Sequence, residues 1–373
     1  MPRVCDDAIG TIVHIEFTWR PMSNAVPEAA RPGGCMAPER TAGGSRPRTG
    51  LVLGAGGVLG AAWMTGALPA LQERLPCAVG EVDVIVGTSA GSVLAAALRC
   101  GVGIEEMLAY QRGEAIGVLR DSDVSDVAAG PWPPPPQWLV GSPRLMLAAL
   151  LTPHRVHPWV GASAWLPRGR ARHEALHAMV HELHRHYCRQ AVPHGSPPEW
   201  VSGGQTWIVA VDYDSGRRVI FGREGAPRAR LADAVVASCS IPGWYVPAVI
   251  DGHRYIDGGV RSPTSLGVLA RAGVDDVYVL APMASIVTDH PRMPHEQLER
   301  RLRRLITAAL LREVQALRSA GIRVTVLTPG PEDLAVMGVN LMDGRRRMAV
   351  LETSLHTSAG ALASPEEGQS QVA

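Results

Sequence analysis

Two short apolar runs in this chain each break into a glycine-rich turn and re-emerge as a helix. That doubled pattern limits the fold more than any other feature. Gly50-Leu51-Val52-Leu53 leads into Gly54-Ala55-Gly56-Gly57-Val58-Leu59-Gly60 and a helix-like stretch over 61–75. Val82-Asp83-Val84-Ile85-Val86 leads into Gly87-Thr88-Ser89-Ala90-Gly91 and an alanine-rich helix ending near Arg99. Strand, turn and helix in repetition is the rhythm of a parallel sheet covered on both faces. Apolar residues make up 46% of 373, ample for burying such a sheet in one large domain. Further strands are predicted at 206–212, 218–222, 276–281 and 323–327. Leu298, Leu302, Leu305, Ala309 and Val314 recur at helical spacing, which predicts a long helix over 292–320. The expected fold class is α/β, three layers (α/β/α) around a mainly parallel central sheet.

The ends and one internal region depart from this rhythm. Residues 1–48 are rich in Pro, Gly, Ala and Arg, predicting a disordered extension in which Met22 or Met36 is an alternative start. A catalytic domain is expected over 49–356 and a disordered tail over 357–373. Within the domain, 112–200 reads as an insertion. Pro131-Trp132-Pro133-Pro134-Pro135-Pro136 cannot join a helix or an inner strand, and predicts a stiff polyproline spacer. Trp132, Trp138, Trp159, Trp165 and the apolar run 145–151 suit a cap over an acyl pocket and a separate small core equally well.

Composition removes several functional classes. The formal net charge of +1 offers no electrostatic footprint for nucleic acid. Every basic residue is Arg, so a Walker lysine, a Schiff-base lysine and a Ser-Lys dyad are all excluded. Six cysteines are scattered without CxxC spacing, which argues against a structural zinc site or a disulfide framework and for a reducing compartment. Asp6 and Asp7 stand where a signal peptide needs a cationic start. No run approaches the roughly 18 apolar residues of a membrane span. A cytoplasmic protein, at most touching a membrane surface, is expected.

Gly87-Thr88-Ser89-Ala90-Gly91 satisfies G-x-S-x-G, and its strand-before, helix-after setting is that of a nucleophile elbow. Alone, a glycine-rich turn with Ser89 as a helix cap is an equal reading. The 54–60 loop lacks the third glycine of a dinucleotide fingerprint, having Leu59 there, and its bare amides fit an oxyanion hole better. For a base, His290, His295 and His356 are available near the C-terminus. Asp257, in Tyr255-Ile256-Asp257-Gly258-Gly259, ends a strand with room around its carboxylate, although Asp-Gly is also a common hairpin turn.

Taken together and in order, the glycine-rich loop, the elbow and the Asp-Gly-Gly sequence resemble patatin-like phospholipases. Ala237-Ser238-Cys239-Ser240-Ile241-Pro242-Gly243 resembles that family's A-S-x-x-I-P segment, and Val249 to Pro263 its approach to the aspartate. The resemblance runs from about Gly50 to Pro282, apart from 112–200. It implies Ser89 as nucleophile, Asp257 as general base, and Gly54, Gly56 and Gly57 in the oxyanion hole. Gly87, Gly91, Gly258 and Gly259 then shape the two turns. It further implies a fatty-acyl ester substrate, cleaved through an acyl-enzyme without metal or other cofactor, with transient membrane-surface contact. One departure is Leu59, where the family usually has Arg or Lys; it bears on head-group preference and loop anchoring. Two rivals are a Ser-His-Asp esterase using a C-terminal His and a catalytically silent lipid-binding relative.

His173-Glu174-Ala175-Leu176-His177 also satisfies H-E-x-x-H, the zinc-peptidase pattern. His181 and His184 lie at the wrong offsets for its extended form, and Glu199, the only near acidic third ligand, follows two prolines. A solvated helix face is the expectation.

Overall fold

The structure, a computed structural model, describes residues 46–114, 132–188, 200–287, 289, 291 and 293–363. In chain order the strands are β1 (Thr49–Leu53), β2 (Val84–Thr88), β3 (Gln137–Val140), β4 (Pro167–Arg168) and β5 (Gln205–Asp212). They continue with β6 (Arg218–Phe221), β7 (Ala248–Ile250), β8 (His253–Asp257), β9 (Asp276–Leu280) and β10 (Arg323–Leu327). The helices are α1 (Gly57–Gln72), α2 (Ala90–Cys100), α3 (Ile104–Gln111), α4 (Pro143–Leu151) and α5 (Pro158–Ser163). Then follow α6 (Glu174–Tyr187), α7 (Leu231–Cys239), α8 (Pro294–Ser319), α9 (Pro331–Met337) and α10 (Arg347–Ala363).

The central sheet runs β10-β9-β1-β2-β5-β8-β7, with β6 also on β5. From β10 to β5 every pairing is parallel; β6, β7 and β8 are antiparallel. Side chains alternate between the faces, as the pleat requires. Leu51, Leu53, Ile85 and Ile208 enter a core built with α1, α2, α6 and α7. Val52, Val84, Val86 and Val209 enter a second core with Leu310, Val314 and Leu317 of α8. The fold is three-layered, α/β/α, and all six strands and the long helix predicted from the sequence are present.

Pairing along one strand explains how two distant segments meet. β2 climbs β5 in parallel register and ends with Thr88 opposite Val209. β8 descends β5 in antiparallel register and ends with Asp257 opposite Ala210. Because β6 occupies the other edge of β5 at Val209 and Ala210, β2 and β8 share one edge and their C-terminal ends face each other. Adjacent residues of a single strand therefore bring Ser89 and Asp257 together. The hairpin turn joining β7 to β8 is Asp251-Gly252, both at positive φ (47° and 77°), which is type I′ character. The Asp-Gly at 257–258 is no hairpin; it opens a 3-10 turn.

Two boundaries differ from expectation. The chain is helical to Ala363, so residues 357–363 belong to a packed element and only 364–373 lie outside the described residues. α10 is hard to read because small residues make its contact. A Cβ on Gly66 of α1 would stand 2.8 Å from the Leu351 carbonyl oxygen, and the Ser354 hydroxyl donates to the Trp63 carbonyl at 2.7 Å. The insertion is also narrower than 112–200. Leu176, Met179, Val180 and Leu183 put α6 in the main core. α4 and α5 belong to a third, smaller cluster in which Leu145, Val156, Val160 and Ala164 pack on Val211, Tyr213 and Ile256 at the end of the sheet. Trp132 to Pro136 form neither helix nor sheet; Pro131 and residues 1–45 of the extension predicted over 1–48 lie outside the described residues.

Candidate active site

Ser89 follows the last residue of β2 and precedes the first of α2, with φ 53° and ψ −123°. Positive φ in a residue with a Cβ is strained and persists only where neighbours enforce it. Two serines do so here. The Ser89 amide donates to the Ser238 hydroxyl at 2.8 Å, which donates in turn to the Val209 carbonyl at 2.7 Å. Ser92 donates its hydroxyl to the Ser89 carbonyl at 2.6 Å. Ser238 lies in the stretch singled out by resemblance, yet its pinning of Ser89 was not legible there. Gly91 lets α2 start against β1: a Cβ would sit 2.0 Å from the Leu53 carbonyl oxygen, a clash no rotamer relieves.

The Ser89 hydroxyl lies beside the Asp257 carboxylate and favours its charged form. Both residues are only 5% exposed. Burial is the main reason the Asp257 carboxyl is raised from 3.8 to about 6; the Ser89 hydroxyl and the Gly259 amide act the other way. Gly259 N–H donates to Asp257 Oδ1 at 2.7 Å, and the Asp257 amide donates to the Ser240 carbonyl at 3.0 Å. The carboxylate is thus held by backbone on one side and offered to Ser89 on the other. Cys239 lies beside the pair; burial and the Asp257 charge push its thiol up, so it stays protonated.

The 54–60 loop faces this pair, and its amides divide into two groups. Gly54 N–H donates to Leu280 O at 3.0 Å, Ala55 N–H to Pro263 O at 2.7 Å and Leu59 N–H to Leu341 O at 2.9 Å. Gly54 is therefore a structural anchor, and its expected place in the oxyanion hole is corrected. Gly56 and Gly57 N–H find no backbone acceptor among the described residues, as befits the start of a helix. Gly57 has φ +59°, and a Cβ there would lie 2.8 Å from Met342 Sδ. Leu59 is wholly buried and does not line the cleft at Ser89. Its backbone bond to Leu341 supplies the loop's anchorage.

Ser89 opens into an apolar cleft of about 140 Å³ between α1, α2, α3 and α6. Ala61, Val93, Leu94, Met107, Leu176, Met179 and Leu183 form its walls. The signal for α6 was present in the sequence, since Leu176, Met179, Val180 and Leu183 follow helical spacing, but the histidines between them drew attention to metal binding. His173 precedes α6 and lines the cleft, with Nε2 2.9 Å from the Cys239 carbonyl and its ring stacked on Tyr245 at 3.7 Å. Burial lowers His173 to about 4, so it is neutral. His177 pairs instead with Asp233 at 3.0 Å. The H-E-x-x-H histidines thus serve two different partners; Glu199 lies outside the described residues.

Of the run 145–151, Leu145 enters a small buried cluster; the tryptophans do not. Trp132, Trp138, Trp159 and Trp165 are all exposed, Trp138 at 98%, and none lines the cleft at Ser89. His295 and His356 are exposed on α8 and α10 and are likewise absent from the cleft. His290 lies outside the described residues.

With this geometry in place, comparison with known proteins assigns the fold a family. The sequence profile of the patatin-like phospholipase family matches residues 51–270, more than half of the chain and inclusive of Ser89 and Asp257. The chain belongs to that family. Among solved structures it is similar to the type III effector ExoU of Pseudomonas aeruginosa at 17% identity and TM-score 0.37, over 88% of this chain and 54% of that one. It is similar to VipD from Legionella pneumophila at 14% and TM-score 0.35, over 83% and 68%. A human group IVD cytosolic phospholipase A2, solved with methyl γ-linolenyl fluorophosphonate, matches at 14% and TM-score 0.37, over 87% and 60%. The chain thus spans roughly half to two thirds of the length of these proteins.

Proposed function

We propose that this protein is a lipid acyl hydrolase that cleaves fatty-acid carboxylic esters through a Ser89–Asp257 dyad. Family membership supports the class. The observation that carries the mechanism is the Ser89 hydroxyl set beside a buried Asp257 carboxylate, whose charged form it favours, at the end of an apolar cleft. Asp257 accepts the Ser89 proton as the oxygen attacks the ester carbonyl. The Gly56 and Gly57 amides stabilise the oxyanion, and the α2 N-terminus adds its positive end. Collapse expels the alcohol, which takes the proton from Asp257, and leaves an acyl-serine. Water, deprotonated by Asp257, releases the fatty acid.

The cleft walls are mostly aliphatic and fit an acyl chain. Contact with a lipid surface belongs to the same reading: Trp138, Leu139, Leu150 and Trp165 are exposed, and tryptophan favours the membrane–water interface. No helix among the described residues is long and apolar enough to cross a membrane.

A fluorophosphonate probe should form one adduct, and peptide mapping by mass spectrometry should place it on Ser89. An adduct elsewhere, or none on folded protein, would sink the proposal. Turnover should depend on pH in one direction. A base must be ionised, so kcat rises as pH passes upward through about 6, the value to which burial lifts Asp257, and is flat above it. A pH–rate profile with its acid limb near 4 would contradict the assignment.

A further inference from the structure

A second groove, of about 830 Å³, lies on the other side of the dyad and shares Ile241 with the acyl cleft. It reaches Gly259, whose amide holds Asp257. Trp159, Leu166, Leu302 and Leu305 give it apolar walls, while Arg218, Arg261 and His157 bring polar groups into it. Arg218 Nε, Arg261 Nε and His157 Nδ1 are all buried without a hydrogen-bond partner among the described residues. One orphaned buried donor is uncommon, and leaving it so costs about 1–3 kcal/mol. Three around one groove require a common cause.

Charge in the groove is unbalanced as well. The one carboxylate among its described lining residues, Glu313, accepts from the Ser262 hydroxyl at 2.9 Å and the Gly267 amide at 3.0 Å. Neither Arg218 nor Arg261 makes an ion pair within 4.0 Å among the described residues, and Arg312 adds a further cation at the rim. Burial lowers Arg218, with Glu313 acting the other way, and burial followed by the charges of Arg261 and Arg218 lowers His157. Two guanidinium groups on adjoining elements, backed by a neutral imidazole, are the donor set for a phosphate oxygen cluster. The apolar walls fit the carbon skeleton of the same molecule.

We propose that this groove binds the phosphate of a glycerophospholipid substrate through Arg218 and Arg261, so that the ester next to it reaches Ser89. The inference rests on the acyl-hydrolase reading and adds its head-group class. The test compares 1-palmitoyl-lysophosphatidate with 1-palmitoylglycerol, which differ only in the phosphate. Wild type should favour the phosphate ester in kcat/KM. Arg218→Gln/Arg261→Gln should lower that preference by about tenfold or more, the scale of charge-assisted bonds, and Arg→Lys at both sites should restore part of it. Wild type without preference, or variants that lose both substrates in proportion, would overturn the site.

Calorimetric titration with sn-glycerol 3-phosphate and with inorganic phosphate is the second arm. Binding of the glycerol ester that disappears in the Gln variant supports the site. Equal binding of inorganic phosphate with an unchanged lipid preference marks a free-anion site and refutes the lipid assignment. If no ester is cleaved at all but glycerol 3-phosphate binds through these arginines, the hydrolase reading fails and the phosphate site stands.

Discussion

Ser89→Ala should abolish ester hydrolysis, with kcat falling by about 10⁵–10⁶, the scale seen when a serine hydrolase loses its nucleophile. The fold should survive the change. Alanine meets the same strain at φ 53°, and the bonds that enforce it use the Ser89 amide and carbonyl, not its hydroxyl. The variant also removes a hydroxyl that favours the Asp257 carboxylate, so the carboxyl should rise above about 6. Steady-state kinetics with a thermal melt on the same sample decide the matter. A variant that melts normally and keeps more than about a hundredth of wild-type turnover would mean another nucleophile.

Asp257→Asn should cost about 10⁴ in kcat, because the amide cannot take the Ser89 proton. Its oxygen can still accept from Gly259 N–H, so geometry is retained. Stability should move the opposite way. An unfolded Asp ionises near 3.8 and the folded one near 6, so the fold favours the protonated form. The ionised group therefore destabilises the native state increasingly as pH climbs from 4 to 6, reaching about 3 kcal/mol above that range. Asn removes this burden, and Tm at pH 7 should rise by several degrees. The gap between wild type and variant should vanish near pH 4, where both side chains are neutral. Loss of activity with a lower Tm at pH 7 would point to simple misfolding instead.

How much was legible in the sequence follows from the kind of physics involved. The parallel half of the sheet was readable because β1 and β2 are short apolar runs closed by glycine turns, a local pattern. Ser89 was readable for the same reason. Asp257 was not readable from spacing, since Asp-Gly also makes hairpins; only pairing of β8 along β5 separates the two, and that is non-local. The helical character of α10 was hidden because its contact with α1 is made by Gly66, Ser354 and the Leu351 backbone, which leave no apolar stripe. The role of Gly54 was misassigned because a free amide and one bonded to β9 look alike in sequence. The tryptophans do not line the cleft at Ser89, whereas α6 supplies it with aliphatic side chains set between histidines.

The brace on the glycine loop has a consequence for the order in which the protein is made. Leu280 holds Gly54, Pro282 packs on Gly56, and Leu341 and Met342 secure Leu59 and Gly57. All of these leave the ribosome after Ser89 and Asp257. A nascent chain therefore carries that pair before the loop opposite it is fixed. On the proposed mechanism, a chain cut short before Leu341 should bind no oxyanion and show no hydrolysis, although it spans the whole of the family match.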